Sequence, residues 1–403
     1  MRDMHDDELL LMIPGPTNVP ARVCEAISAP CVYHRGPEFA ALLAECVAGL
    51  QQVFGTSEPV AILSASGTGG VEAAIANLVD RGQHMLAINT GKFGKRMGDI
   101  AASYGVDVTW WHCNPGETAD PRLLHRFLQE SRFDALSFVY SETSTGVQQD
   151  LESLGHIAAD AGVMTIVDAV SIIGGAPIDM DANRLDAVVG GSQKALMLPP
   201  GLSLVALSSA ARERAARSNN SRYYFDLTRA LKSLEKGQTP YTPAVNLFCG
   251  LREALRIMAE EGMPAIYQRH CSLARACRAA IASMGLQLLP TNERHASATV
   301  TAVHMPEGLD SSELVRRVRE GSNILISGGQ DELKGKIFRI GHLGSCSIDD
   351  LVETVQAVAE SLAAMGLAVD AAGAASVTRC TYEELTRPAD PASGSTSASP
   401  GER

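Results

Sequence analysis

The sequence predicts an α/β protein: a large domain with a mostly parallel, seven-stranded-type sheet, followed by a smaller C-terminal α+β domain. Three observations predict it. From about residue 59 to 208, strand-like and helix-like segments alternate, punctuated by glycines; this is the pattern of a parallel sheet covered on both faces. After residue 262 the alternation gives way to helices mixed with short strands. The length of 403 residues exceeds what one compact core organises, so two domains are expected.

Each element can be justified in order. "PVAILSAS" reads as a strand, and "GTGGVEAAIANLV" as a glycine turn opening a helix. "HMLAINT" is a strand, and "GKFGKRMGDIAASYG" a turn and helix. "DVTWWHC" is a strand, followed by the helix "DPRLLHRFLQES". "ALSFVYSE" is a strand and "LESLGHIAADAG" a helix. "MTIVDAV", "LDAVVGG" and "LSLVALS" are three further strands. Residues 244–262 form a long amphipathic helix. Beyond it, "YQRHCSLARACRAAIASMG" and "SSELVRRVREG" are helical, while "ATVTAVHMP", "ILISGG" and "KIFRIGH" are strand-like. "SIDDLVETVQAVAESLAAMG" is a helix with a Ser cap signal and Asp in its first turn. The organisation expected is an N-terminal arm over 1–22, a large domain over 23–262 and a small domain over 263–370. Residues 371–403, rich in Ala, Ser, Pro and Gly, are expected to form a disordered tail.

Bulk composition narrows the function classes. Hydrophobic residues make up 45% and charged residues 20%, an ordinary globular balance. The net charge of −12 argues against nucleic-acid and anionic-membrane partners, which call for basic patches. The start "MRDMHDDELL" resembles neither a secretory signal nor a transit peptide. No segment reaches the roughly 18 uninterrupted apolar residues of a membrane span. The nine cysteines are scattered, with no C-x-x-C pair and no zinc-type cluster, so free thiols in a cytoplasmic, reducing setting are expected and no metal site.

Three features carry chemistry. In "SASGTGGVEAA" a strand runs into Ser66, Gly67 and Thr68, and a helix follows. Amides and hydroxyls at a helix start suit a phosphate, although a plain glycine turn reads the same way. It matches neither the dinucleotide nor the P-loop fingerprint. Asp168 ends the apolar strand of "TIVDAVSIIGG". A carboxylate there either caps the next turn or meets a cationic partner, such as a protonated heteroaromatic nitrogen. Lys194, in "VVGGSQKALMLPPG", also lies beyond a strand end. Burial would make it a usable amine nucleophile, whereas pairing or snorkelling would leave it structural. A phosphate cradle, a strand-end Asp and a strand-end Lys, in that order, are the parts a pyridoxal phosphate site needs.

With those residues in place, the sequence resembles the class V (fold type I) pyridoxal-phosphate-dependent aminotransferases, in particular the alanine/serine–glyoxylate and serine–pyruvate branch. The matching segments run in family order from about residue 11 to 367. They are "PGPTNVP" (14–20), "HRGPEF" (34–39), "SASGTGGVEAA" (64–74), "GKFGKR" (91–96) and "SETSTGV" (141–147). They continue with "VDAVSIIGG" (167–175), "GSQKALMLPPGLSLV" (191–205), "TPYTPAVN" (239–246) and "FRIGHLG" (338–344).

The resemblance implies that Ser66, Gly67 and Thr68 hold the cofactor phosphate, with Gln193 beside it. It implies that Phe93 stacks on the pyridine ring, where many relatives carry Trp, and that Thr143 lies near O3′. It assigns Asp168 to the ring nitrogen, Lys194 to the Schiff base and to proton transfer, and Arg339 to the substrate carboxylate. Thr242 would reach the phosphate of a partner subunit, which makes a homodimer with shared sites the expected active unit. An ion pair between domains is the other role open to Arg339. His34 and Arg35 suit either a polar group of the substrate or docking of the arm at an interface. His342 reads as structural.

The activity implied is transamination from an alanine- or serine-like amino acid to glyoxylate or pyruvate. Relatives also use aminoethylphosphonate, ureidoglycine or pyridoxamine. A lyase or desulfurase shares the fold, but a desulfurase needs a cysteine on the loop before Arg339. "SNILISGGQDELKGKIF" has none, and Cys346 follows the arginine.

Overall fold

A computed structural model describes residues 9–387 of the chain. The acidic first eight residues and the chain beyond 387, about which the sequence carried expectations, lie outside the described residues.

Seven strands build the central sheet: β1 (Val60–Leu63), β2 (His84–Asn89), β3 (Asp107–His112), β4 (Ala135–Val139), β5 (Met164–Asp168), β6 (Ala187–Gly191) and β7 (Ser203–Leu207). Their order is β1-β7-β6-β5-β4-β2-β3, and only β7 runs antiparallel to its neighbours. Both faces are covered because successive strand residues point to opposite sides. Leu86 and Ile88 enter one core, with Phe39, Leu50 and Phe248 of flanking helices. Met85 and Ala87 enter the other, with Val71, Ile75 and Met97. This double burial explains why the strands read as continuous apolar runs rather than as alternating ones.

Of the crossover helices, α3 (Gly67–Leu78) and α4 (Lys92–Ser103) start where the glycine turns place them, and α5 (Pro121–Glu130) and α6 (Leu151–Asp160) start at the aspartate caps Asp120 and Asp150. Four helices had no clear sequence signal: α1 (Ala21–Ser28), α2 (Pro37–Phe54), α7 (Ser209–Arg217) and α8 (Leu227–Leu234). The long helices α9 (Val245–Glu261) and α10 (Met263–Ser283) meet at Gly262.

A third core lies under a smaller antiparallel sheet formed by Val300–His304, Ile337–Gly341 and Ser327–Gly328. It is covered by α10, α11 (Ser311–Ser322) and α12 (Ile348–Ala364). The helix α12 opens with a full capping box between Ser347 and Asp350. "ILISGG" splits into two short strands about the buried Ile326; the first, Ile324–Leu325, pairs in parallel with Leu10–Leu11 of the arm. Leu10 and Met12 thereby join this core.

The expected disordered tail is corrected over its first part: Ala371–Thr386 is a helix, α13, capped by Asp370 and packed on α10 and α12. Ala374 and Thr378, one turn apart, supply its buried face. The alanines that suggested a solvated tail are also the best helix formers. Among the described residues, no helix is long and apolar enough to cross a membrane.

Candidate active site

The site forms where β4, β5 and β6 end. Asp168 closes β5, in register with Val139 on one side and Val189 on the other. Just beyond β6, the chain turns through Gln193 and Lys194. That turn is fixed from several directions. The Lys194 carbonyl accepts from Met197 N at 2.9 Å and from Thr17 Oγ1 at 3.0 Å, and Ser192 Oγ donates to Pro199 O at 2.8 Å. A cavity of about 110 Å³ opens above, at the carboxyl ends of the strands where α/β sheets bind ligands. Ser66, Gly67 and Thr68 line one wall, and Phe93 and Thr143 a second. Asp168, Gln193 and Lys194 close it.

The electrostatics of this cavity are those of buried charge. Burial pushes the Asp168 carboxyl up to about 6, although Val170 N donates to its Oδ1 at 2.9 Å and the charges of Lys194 and Arg96 pull the other way. Burial lowers the Lys194 amine to about 8, against the attraction of Asp168. The Lys194 ammonium donates to the carbonyl of Pro14, in the arm. Residue 15 must be glycine for that contact: its φ is +107°, and a Cβ would lie 2.5 Å from the Lys194 side chain.

The phosphate-type wall is the start of α3. Ser66 occupies the cap position but makes no side-chain cap bond, so its hydroxyl is uncommitted to the helix. At Gly67 a Cβ would lie 2.6 Å from Val170, so the helix start can settle against the strand end only without a side chain. Gln193 Oε1 is buried with no hydrogen-bond partner in the protein, an orphan that a bound polar group would satisfy. A buried amine, an opposed carboxylate, an anion-binding helix start and an aromatic face together fit pyridoxal phosphate.

Three residues that sequence reasoning did not single out complete this region. Arg96 lines the cavity, donates to Thr68 Oγ1 at 3.0 Å and lies over the Phe93 ring at 4.9 Å. Glu142 is fully buried and accepts from Phe93 N at 2.9 Å, Gly94 N at 3.0 Å and Ser144 N at 3.1 Å, fixing the start of α4. Pro14 covers the lysine. Arg96 stood within "GKFGKR", Glu142 within "SETSTGV" and Pro14 within "PGPTNVP"; the signal was the motif itself, without any pointer to these members.

Arg339 lies behind the Thr143 wall rather than on the cavity surface. Its guanidinium donates to Thr143 O at 2.8 Å and twice to Gly328 O, at 3.0 and 2.7 Å. Burial lowers it to about 10, with the Glu142 charge opposing. Among the described residues, its hydrogen-bond acceptors are these two backbone carbonyls.

Thr242, His34 and Arg35 are not brought to the cavity within this chain. Thr242 is exposed, and its hydroxyl faces His34 Nε2 at 3.4 Å. Arg35 is committed to the loop before Thr242, donating to Gln238 Oε1 at 2.8 Å, Thr239 O at 2.9 Å and Pro240 O at 3.4 Å. His342 is buried against Thr301 Oγ1 at 2.9 Å, and burial holds its imidazole neutral, down at about 3. Cys346 is buried against Met12 Sδ, with burial pushing its thiol up.

Comparison with known proteins agrees with this geometry. The family model for aminotransferase class-V matches residues 10–339. The chain is 37% identical to an uncharacterized aminotransferase of Methanocaldococcus jannaschii, over 90% of this chain and 95% of that one. It is 34% identical to the serine–glyoxylate aminotransferase of Methylorubrum extorquens, over 89% and 92%. The crystal structure of ureidoglycine–glyoxylate aminotransferase from Bacillus subtilis superposes with a TM-score of 0.90 at 28% identity, covering 95% of this chain and all of that one.

Proposed function

The chain belongs to the class-V aminotransferases, and on that premise we propose that it uses pyridoxal phosphate to move an amino group from an alanine- or serine-like amino acid to glyoxylate or pyruvate. The observation that carries this reading is the pairing of a buried, charge-suppressed Lys194 with Asp168 at neighbouring strand ends. Pyridoxal phosphate, when bound, supplies a ring that draws electrons from the substrate's Cα–H bond.

The chain's own groups divide the remaining work. Ser66, Gly67, Thr68 and Gln193 hold the phosphate, and Phe93 offers a stacking face. Asp168 keeps a proton on the ring nitrogen. Thr143 orients the ring hydroxyl. Lys194, lowered toward neutrality, would take the proton from the substrate's Cα and return it at the cofactor's C4′. Arg339 binds the substrate carboxylate as a planar fork. Its two backbone acceptors hold it in plane, which supports that role.

Two copies are proposed to share their sites. Thr242 sits on an exposed loop whose aromatic neighbours Tyr223 and Tyr224 are 70% and 46% exposed. A second copy would cover them and receive the Thr242 hydroxyl. Arg35 then acts by holding that loop, and His34 by facing Thr242. Free cysteines support a cytoplasmic setting.

The names of the relatives favour glyoxylate as acceptor, and the ureidoglycine enzyme's structural likeness favours a second donor reading. Mixing the cofactor-loaded protein with alanine, serine, aminoethylphosphonate, ureidoglycine and pyridoxamine separates them: the true donor bleaches the visible band. Lys194→Ala should lose both band and turnover. Full transaminase activity in that variant, or ammonia release without any keto acid, would sink the reading.

A further inference from the structure

Among the described residues, Arg96 is the strong cation on the cavity wall that the reading above leaves without a task. Lys194 is reserved for the cofactor and proton transfer, and Arg339 is held behind the wall by two carbonyls. Arg96 projects from the first turns of α4 toward the start of α3 and meets two residues there. One is Thr68, whose hydroxyl accepts from Nη1 at 3.0 Å. The other is Phe93, whose ring lies 4.9 Å below the guanidinium carbon.

These contacts join the start of α3, read above as the phosphate wall, to the aromatic face of Phe93. Phe93 is already fixed at its backbone, because Glu142 accepts from its amide at 2.9 Å. Its ring packs at the margin of the second core and carries Arg96 over one face. The cation over that face narrows the rotation left to the two side-chain bonds. The same guanidinium sets the Thr68 hydroxyl, which can then point its own hydrogen outward, because the arginine occupies an oxygen lone pair. Lysine keeps the charge but offers a compact ammonium in place of a planar guanidinium that can lie over the ring while donating at its edge. The Arg96 charge also favours the ionised form of Asp168 against burial.

Resting on the pyridoxal phosphate reading, we propose that Arg96 is a positioning residue that pre-sets the stacking face of Phe93 and the hydroxyl of Thr68 for the cofactor. It acts through those two side chains and takes no part in proton transfer.

The test follows cofactor release from the diluted holoenzyme by its visible absorbance, and the geometry of the bound cofactor by visible circular dichroism. Arg96→Met should release the cofactor about tenfold faster, the loss of one charged hydrogen bond and one cation–π contact. Its visible dichroism should shrink while its thermal melt stays cooperative. Arg96→Lys should fall between Arg96→Met and the parent. Thr68→Val combined with Arg96→Met should cost less than the two separate effects multiplied, because the variants share a contact. A parent-like release rate and dichroism in Arg96→Met would overturn this inference alone. A parent protein that takes up no pyridoxal phosphate would overturn the preceding reading along with it.

Discussion

Lys194 donates its ammonium hydrogen to the carbonyl of Pro14, 180 residues earlier in the chain. The arm is therefore part of the lysine's environment and not a loose leader to the first helix. Its next residue, Gly15, has a left-handed φ of +107° and no room for a side chain. Gly15→Ala should push Lys194 aside and strain the backbone, at ~1 kcal/mol or more of stability. Cofactor uptake should slow at the same time. Parent-like uptake and melting temperature would show that the arm moves freely off the lysine.

The lowered lysine sets a pH signature. Only the neutral amine attacks an aldehyde, and Lys194 loses its proton near 8 instead of 10.5. Capture of pyridoxal phosphate by the cofactor-free protein should rise with pH and reach its midpoint near 8. The sign for stability follows from proton binding: the unfolded chain holds this proton up to 10.5 and the folded one only to about 8. This group's contribution therefore becomes more favourable as pH climbs through that window. Asp168→Asn removes the charge that holds the proton on Lys194, so the capture midpoint should fall below that of the parent. Stopped-flow absorbance across pH reads both values; a midpoint near 10 in the parent contradicts the burial argument.

Much of this site was legible because the chemistry is concentrated at strand ends. Asp168, Lys194 and the Ser66–Thr68 turn each follow an apolar run, and a parallel sheet gathers such ends on one edge. Side-chain pairs between distant segments were not legible. Nothing in "GKFGKR" says that Arg96 reaches Thr68, and nothing in "SETSTGV" says that Glu142 caps the helix carrying Phe93. The partners of Arg35 were likewise not legible, for a physical reason. Arg35 spends its donors on the 238–240 loop, a long-range match that no local pattern encodes.

Arg339 makes a prediction that separates substrate binding from cofactor binding. Arg339→Lys keeps a charge but loses the fork and at least one of the bonds to Thr143 and Gly328. The KM for the amino acid should rise about tenfold to a hundredfold, the worth of a charged hydrogen-bond pair. The visible band of the bound cofactor should be unchanged, because Arg339 is not on the cavity wall. Steady-state kinetics beside an absorbance spectrum decide it; loss of the band with KM unchanged would place Arg339 at the cofactor instead.

The last helix can be tested against the tail that composition alone suggests. In α13, Ala374 is only 2% exposed and faces the core shared by α10 and α12. Arg379 reaches Asp349 of α12 at 2.7 Å, and Gln268 of α10 donates to Leu385 O at 3.2 Å. Ala374→Asp would bury a carboxylate without a designed partner, at ~3 kcal/mol or more, so the thermal melt should fall clearly. Ala372→Asp, exposed in the first turn, places the same charge where a helix start favours it and should be neutral or slightly stabilising. A solvated tail would tolerate both equally. The contrast between two aspartates two residues apart therefore reports whether this segment is packed as a helix, and it does so without touching the catalytic site.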